Sequence, residues 1–175
     1  VDITISEQIL SIIPFEDKSS NPFPVSITAS DGELNVTQSF LVEVLSVNDP
    51  PLAVSSEYEF DEDNSISIIL TGSDPEYDPL SYLIYNSPSN GTIDLEGNIA
   101  MYHPDENFNG NDSFGFKAND GQYNSDLAVI SLSINPVNDA PVLSDIEQQS
   151  VNEDEIFEFL ISADDIDIDD LFYSI

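Results

Sequence analysis

A repeat of about ninety residues constrains this chain more than any other feature. Val47-Asn48-Asp49-Pro50-Pro51 returns as Val137-Asn138-Asp139-Ala140-Pro141 at an offset of 90, and Ala29-Ser30-Asp31-Gly32 returns as Ala118-Asn119-Asp120-Gly121 at 89. Ile3, Ile5, Ile9 and Pro14 match Ile93, Leu95, Ile99 and Pro104, again at 90. Past the second linker, Glu62-Asp63 matches Glu153-Asp154 and Leu80-Ser81-Tyr82 matches Leu171-Phe172-Tyr173, both at 91. A fixed period of this kind marks stacked structural units. Its phase divides the chain into residues 1–49, the C-terminal half of a repeat, 50–139, a complete repeat, and 140–175, the N-terminal half of another. The two outer pieces together make one repeat, lacking only the counterpart of Tyr85 to Asn90. Two expectations follow: a window on a longer array, or halves that complete one another between neighbouring molecules.

Within the complete repeat the hydrophobic period is two and helix signals are nearly absent, which predicts strands. Ser65 to Leu70 alternates, with Ile66, Ile68 and Leu70 on one face, and Leu80 to Tyr85 follows a turn-rich Asp74-Pro75-Glu76-Tyr77-Asp78-Pro79. Thr92 to Leu95 and Ile99 to Tyr102 flank Glu96-Gly97-Asn98 as a hairpin, because glycine supplies the positive φ that a short loop needs. Asp112 to Ala118 and Leu127 to Ile134 form the last pair, and Val54 to Phe60 an edge strand. Seven short strands with frequent turns predict an all-β fold of tandem immunoglobulin-like or cadherin-like Greek-key sandwiches. With no Cys and no Trp in the chain, apolar packing alone must hold the core.

Charge narrows the function. The chain carries 35 acidic residues against 2 basic ones, a formal net charge of −33. It cannot neutralise a run of phosphates, so nucleic acid is excluded as a partner. Adhesion to anionic lipid is disfavoured for the same reason, and the apolar runs are too short to span a bilayer. No basic start or cleavage pattern stands at Val1.

The carboxylates collect at predicted strand ends: Asp61-Glu62-Asp63, then Asp74, Glu76 and Asp78, then Asn119-Asp120, then Asn48-Asp49 in the linker. The second cluster is extended in the next repeat to Asp164-Asp165-Ile166-Asp167-Ile168-Asp169-Asp170. Charge runs are usually solvated. These, however, recur at the repeat period, and paired carboxylates 4 Å apart repel by about 1 kcal/mol even in a water-like dielectric. Almost no Lys or Arg offsets that repulsion, so a bound cation is expected. Dense hard oxygen ligands suit Ca²⁺, whereas zinc or copper would call for His or Cys, and His103 stands alone.

These motifs, together with Gly91-Thr92, Tyr102-His103-Pro104 and Phe108-Asn109-Gly110-Asn111-Asp112-Ser113-Phe114, resemble the cadherin-like, bacterial Ig-like tandem repeats (VNDAP-type) of giant bacterial surface adhesins. The resemblance spans the chain and implies extracellular, calcium-stiffened arrays used for adhesion or as spacers. It also implies that each junction gathers ligands from both neighbouring repeats and the linker. At the second junction these are Glu62 and Asp63 from below, Asn138 and Asp139 from the linker, and Asp165, Asp167 and Asp169 from above. At the first they are Asn48, Asp49, Asp74, Glu76, Asp78 and Asp120. Glu153 and Asp154 are the ligands one repeat beyond Glu62 and Asp63, and the loop Pro104 to Asp112 offers Asp105 or Glu106. The linker is VND where animal cadherins have a longer DxND, which implies fewer ions per junction. The first half-repeat departs further, with Phe15-Glu16-Asp17-Lys18 in place of the FNGND loop.

Other chemistry is thin. No phosphate-cradling glycine loop and no Ser-His-Asp arrangement with supporting glycines occurs, and His103 reads as structural. Carboxylate pairs can hydrolyse glycosides, but these lie in turns beside linkers, so no enzyme is expected. Tyr77, Tyr82, Tyr85, Tyr102 and Tyr123 could stack on sugars, although strand aromatics more often pack across strands. The expectation is a structural array at the cell surface whose partners are adjacent repeats of the same protein, with self-assembly into filaments. The competing class is an adhesin module that binds surface glycans.

Overall fold

The computed structural model describes residues 1–175, and it contains strands and turns but no helix. In chain order the strands are β1 (Asp2–Ser6), β2 (Ile9–Ile13), β3 (Ser20–Ser30), β4 (Asn35–Val44), β5 (Leu52–Val54), β6 (Ser56–Asp61), β7 (Ile66–Ile69) and β8 (Thr71–Ser73). They continue as β9 (Ser81–Asn86), β10 (Gly91–Glu96), β11 (Ile99–Pro104), β12 (Gly110–Asn119), β13 (Ala128–Asn135), β14 (Val142–Leu143) and β15 (Ala163–Asp164).

Strands β5 to β13 build an immunoglobulin-like sandwich. One sheet has the order β6-β13-β12-β9, the other β10-β11-β7, and β5 pairs with β8. All pairings are antiparallel except β13 with β6, which is parallel. The expected edge strand is in fact two. β5 holds to β8, the chain breaks at Ser55, and β6 then runs along β13, so the first strand serves both sheets. The expected Ser65–Leu70 strand is likewise split into β7 and β8.

Alternation fills the space between the sheets. Strand β13 reads buried and exposed in strict turn from Ala128 to Ile134, which points Ala128, Ile130, Leu132 and Ile134 inward. They meet Phe114 and Phe116 of β12 and, from the facing sheet, Ile68, Leu70, Ala100 and Tyr102. Burying such a large apolar side chain stabilises by roughly 1.5–3 kcal/mol, which is how the sandwich holds without a disulfide. Tyr102 keeps its polar end satisfied: its hydroxyl lies 3.0 Å from both Asn90 O and Asp112 Oδ2. Gly91 is required beside it, because a Cβ there would collide with His103 O and the Tyr102 ring.

The outer pieces follow the same plan with half the parts. Strand pair β1·β2 repeats β10·β11 in register, Asp2 opposite Ile13 as Thr92 is opposite His103. Pair β3·β4 repeats β12·β13, with one irregularity between Ser20 and Phe23. That extra residue is the physical origin of the change in offset from 90 to 89, since a bulge adds one residue to one strand. Pair β14·β15 repeats β5·β8. Even the left-handed residues recur: Glu7 with Gly97, Asp17 with Asn107, Gly32 with Gly121, Asp63 with Asp154, and Tyr77 with Ile168.

What the outer pieces lack is cover. Of the 17 buried residues only Val25 lies outside residues 50–139. Phe40 stands 39% exposed where its counterpart Ile130 is at 0%. The chain exposes 13135 Å², against roughly 8,400 Å² for a closed fold of this mass.

Candidate metal centre at the repeat junctions

Two loops of the form D-x-[DE]-x-D define the upper side of each junction, and each is folded by its first aspartate. Asp74 Oδ1 accepts the backbone N–H groups of Glu76 (2.9 Å) and Asp78 (3.0 Å). Asp165 Oδ1 accepts those of Asp167 (3.0 Å) and Asp169 (3.3 Å). An aspartate closing a turn on its own following amides is the usual reason for the residue type at that place. The turn carries Tyr77 and Ile168 at positive φ, 66° and 63°.

The linker then docks on the second carboxylate of each loop. The Asp49 N–H donates to Glu76 Oε2 (3.0 Å), and the Asp139 N–H donates to Asp167 Oδ2 (2.6 Å). At the first junction Asn48 Nδ2 also donates to Asp120 Oδ2 (2.8 Å). Asp120 is itself fixed because its Oδ1 accepts the N–H groups of Gln122 and Tyr123, both at 2.6 Å. Tyr123's amide, then Asn48 and Gln122, hold the Asp120 carboxyl below its ordinary range. Asn138 Nδ2 donates to Asp139 O (3.0 Å).

From below, Glu62 enters the second junction. It is only 1% exposed, and no cation faces it. Its Oε1 accepts the Val137 N–H (2.7 Å), and Asn109 Nδ2 lies 3.3 Å from its Oε2. Asp63, at φ 61°, begins the tight turn beyond it.

Like charges act on the two linker aspartates. Partial burial, then Asp63, Asp167, Glu62 and Asp165, hold the Asp139 carboxyl above the ordinary carboxylate range. Partial burial, then Asp17, Glu76 and Glu16, do the same for Asp49. Two carboxylate oxygens, Asp139 Oδ2 and Asp74 Oδ2, are buried without any hydrogen-bond partner, and Asp74 is 8% exposed. A buried acceptor left bare costs about 1–3 kcal/mol or more when charged. Such oxygens are suited to a hard cation, and a set made wholly of oxygen donors is the chemistry of Ca²⁺ rather than of zinc. No three of the acidic side chains are drawn together into a ready-made metal cage. The junctions therefore gather the charge but do not neutralise it.

Of the residues expected from sequence, the structure hydrogen-bonds Asp139 to Asp167 at one junction, with Asp63, Glu62 and Asp165 near enough to raise the Asp139 carboxyl but not gathered with it into a metal-holding group. At the other it joins Asn48, Asp49, Glu76 and Asp120. Asp74 anchors its loop, while Asp78 and Asp169 are exposed and enter through their backbone N–H groups. Glu153 and Asp154 are exposed and stand at neither junction, because the strands that would carry them are unpaired. Asp105 and Glu106 do not contact the linker; the loop delivers Asn109 instead. The sequence reading missed Asp17 and Glu16. Their signal was the offset of 90, which sets Asp17 level with Asn107, and the two share the same left-handed backbone, φ 52° and 57°.

Two further expectations can be located. Tyr102 is core and Tyr82 half-buried, while Tyr77, Tyr85 and Tyr123 are exposed; Lys117 Nζ lies 4.9 Å above the Tyr85 ring. His103 lies between Ser65 Oγ (2.6 Å from Nδ1) and Asp94 Oδ2 (3.4 Å from Nε2), a row of three side chains that ties the start of β7 to β11 and β10.

Residues 48–133 match the family model of a bacterial Ig domain. No curated protein sequence matches the chain. Among solved structures, an endo-fucoidan hydrolase of glycoside hydrolase family 107, MfFcnA4, is similar over 76% of this chain and 22% of its own, at 18% identity and a TM-score of 0.41. A variant of it is similar over 82% and 24%, at 20% identity and 0.42. A chimeric titin Z1Z2 functionalized with an exogenous peptide from decorin is similar over 78% of this chain and 73% of its own, at 15% identity and 0.31. The chain spans about a quarter of the hydrolase's length.

Proposed function

We propose that this chain is part of an extracellular bacterial surface array, of the VNDAP type, in which Ca²⁺ bound between successive Ig-like repeats fixes their angle and turns a string of domains into a rod. At the second junction Glu62, Asp63, Asp139, Asp165 and Asp167 would hold the ion. At the first the ligands would be Asp49, Asp74, Glu76 and Asp120, with Asp17. The ion would supply charge neutralisation and rigidity, not catalysis. The observation that carries this reading is Glu62: a fully buried carboxylate, without a cationic partner, facing a linker aspartate whose own Oδ2 is buried and bare. A buried charge of that kind persists only when it is paired or bound to metal. The match of residues 48–133 to a bacterial Ig domain supports placement in a surface protein.

Calorimetric titration tests the reading. Ca²⁺ should bind in the 10⁻⁴ to 10⁻³ M range typical of extracellular modules, with Mg²⁺ failing to compete at equal concentration. Binding that is absent, or unchanged in Glu62→Gln, would overturn it.

A further inference from the structure

Two of the five tyrosines that could stack on sugars, Tyr77 and Tyr82, line one cleft of the middle repeat. The two sheets of the sandwich end on β9 and β10. Between these edges, at the end that carries the Asp74 loop, lies an opening of about 950 Å³. That is the size of a small-molecule site. Its floor is the margin of the core: Leu80 and Tyr82 on the β9 side, and Leu95 from β10, all half-buried. Burial raises the pKa of Tyr82, so its hydroxyl stays a neutral donor and acceptor.

Tyr77 stands on the wall of this cleft, 91% exposed and at φ 66°. A bulky residue in the left-handed region is a backbone outlier, and such outliers cluster at functional sites. The turn itself does not call for a ring, since its counterpart in the next repeat closes at φ 63° with Ile168. The core does not call for one either, because nearly all of the residue is in solvent. The ring is therefore left without a structural task.

The loop divides its side chains between two faces. Glu76 takes the Asp49 N–H on the linker side, while Tyr77 and Asp78 line the cleft. Asp78 enters the turn by donating its N–H to Asp74 Oδ1, which leaves its exposed carboxylate to solvent. On the β10–β11 hairpin, Asn98 gives its Nδ2 to Leu70 O (3.4 Å), leaving its Oδ1. Gly97 beside it, at φ 61°, has open space where a side chain would stand.

An apolar floor, a standing aromatic ring and a few acceptors at the rim together suit a sugar. The C–H face of the sugar ring packs on the tyrosine, and its hydroxyls donate to carboxylate and amide oxygens, which can only accept. Charge selects the kind of sugar. The cleft carries Asp74 and Asp78 and no basic residue, in a chain of net charge −33. That field repels sulfated and uronic-acid chains. A lone ammonium group would leave most of the opening empty.

We propose that the cleft between β9 and β10 binds a segment of neutral oligosaccharide, with Tyr77 as the stacking platform, Asp78 and Asn98 as hydroxyl acceptors, and Leu80, Tyr82 and Leu95 as the apolar floor. None of these side chains is among the ligands proposed for the first junction, so the inference does not rest on the calcium reading.

The test is chemical-shift mapping of the full chain, with and without millimolar Ca²⁺, titrated with millimolar cellotetraose, mannotetraose, galactotetraose and xylotetraose. Tetragalacturonate and lysine amide are the charged references. At least one neutral tetrasaccharide should move the signals of Tyr77, Gly97 and Asn98 in either condition. Tyr77→Phe should bind it within about threefold of the parent, because the stacking face is kept. Tyr77→Asn should bind it about tenfold or more weaker, the factor that a lost ring contact is worth, with thermal melting no lower than the parent's. No response to any of the neutral sugars, or a response confined to other residues, overturns the inference. So does parental affinity in Tyr77→Asn, or tighter binding of tetragalacturonate or lysine amide than of every neutral sugar.

Discussion

At the scale of single residues, the junctions are places where local strain and bare charge have been left in the fold. Tyr77 holds φ 66° with its side chain exposed, and an L residue in that region costs about 1–2 kcal/mol. Asparagine tolerates the same backbone, so Tyr77→Asn should stabilise the middle repeat by about 1 kcal/mol, a rise of roughly 4–8 °C in Tm; a fall in thermal melting would show that the ring makes contacts the fold needs. Glu62 stores charge rather than strain. Glu62→Gln removes the buried charge and keeps Oε1 as acceptor for the Val137 N–H, while its NH₂ replaces the oxygen that Asn109 Nδ2 faces, so the EDTA form should change little in stability. Calcium affinity should drop by about tenfold or more, since ligand charge count sets it. The pH response follows from the linker aspartates. Asp49 and Asp139 have carboxyls raised by partial burial and like charge. A raised folded pKa contributes stability that is full below the unfolded value and lost as pH rises through the folded one. In EDTA, stability should therefore fall as pH climbs from the carboxylate range toward neutrality, and Ca²⁺ should abolish that fall; denaturant melts at both ends of the range check it.

At the scale of elements, the sandwich is held by alternation and a few buried rings. Phe114→Ala should cost about 3–5 kcal/mol by opening a cavity. Tyr102→Phe should cost about 1–2 kcal/mol by leaving Asn90 O and Asp112 Oδ2 short of a donor; urea unfolding measures both. Burial works against the charged Asp112, but the N–H groups of Ser89, Asn90 and Ser113 and the Tyr102 hydroxyl outweigh it and lower its pKa. Its contribution is thus present above the ordinary carboxylate range and lost in strong acid. Much of this was legible in the sequence. Period-two alternation located β7, β9 to β13 and their hairpins, because a side chain's face in a strand depends only on parity. The switch of the first strand between sheets was not legible. Val54 to Phe60 reads as one edge strand, and only the three-dimensional position of β8 and β13 decides where the chain changes partner. For the candidate site, the repeated D-x-[DE]-x-D loops announced themselves, since an aspartate closing its own turn has a fixed spacing. Asn109 was hidden because an amide in a glycine-rich loop looks like a turn former, not a neighbour of a buried glutamate. Asp17 was hidden because its loop differs in letters from its counterpart while sharing its backbone.

At the scale of the whole molecule, the governing fact is a net charge of −33, part of it gathered at the repeat junctions. Self-repulsion of that size opposes compact arrangement unless counter-ions screen it. The linkers are short and hydrogen-bonded to the next repeat through Asp49 and Asp139. A cation bound as proposed would therefore act on the angle between repeats more than on the repeats themselves. The sandwich core lies away from the linkers, so the middle repeat should stay folded in EDTA while the junctions loosen.

The most direct measurement of this is the distance distribution between spin labels placed across the first junction, at Ser39→Cys on β4 and Ser131→Cys on β13, with labelled chain diluted into unlabelled. The account predicts one narrow distribution in millimolar Ca²⁺ and a broad one in EDTA or equal Mg²⁺. Distributions of the same width in all three conditions would contradict it.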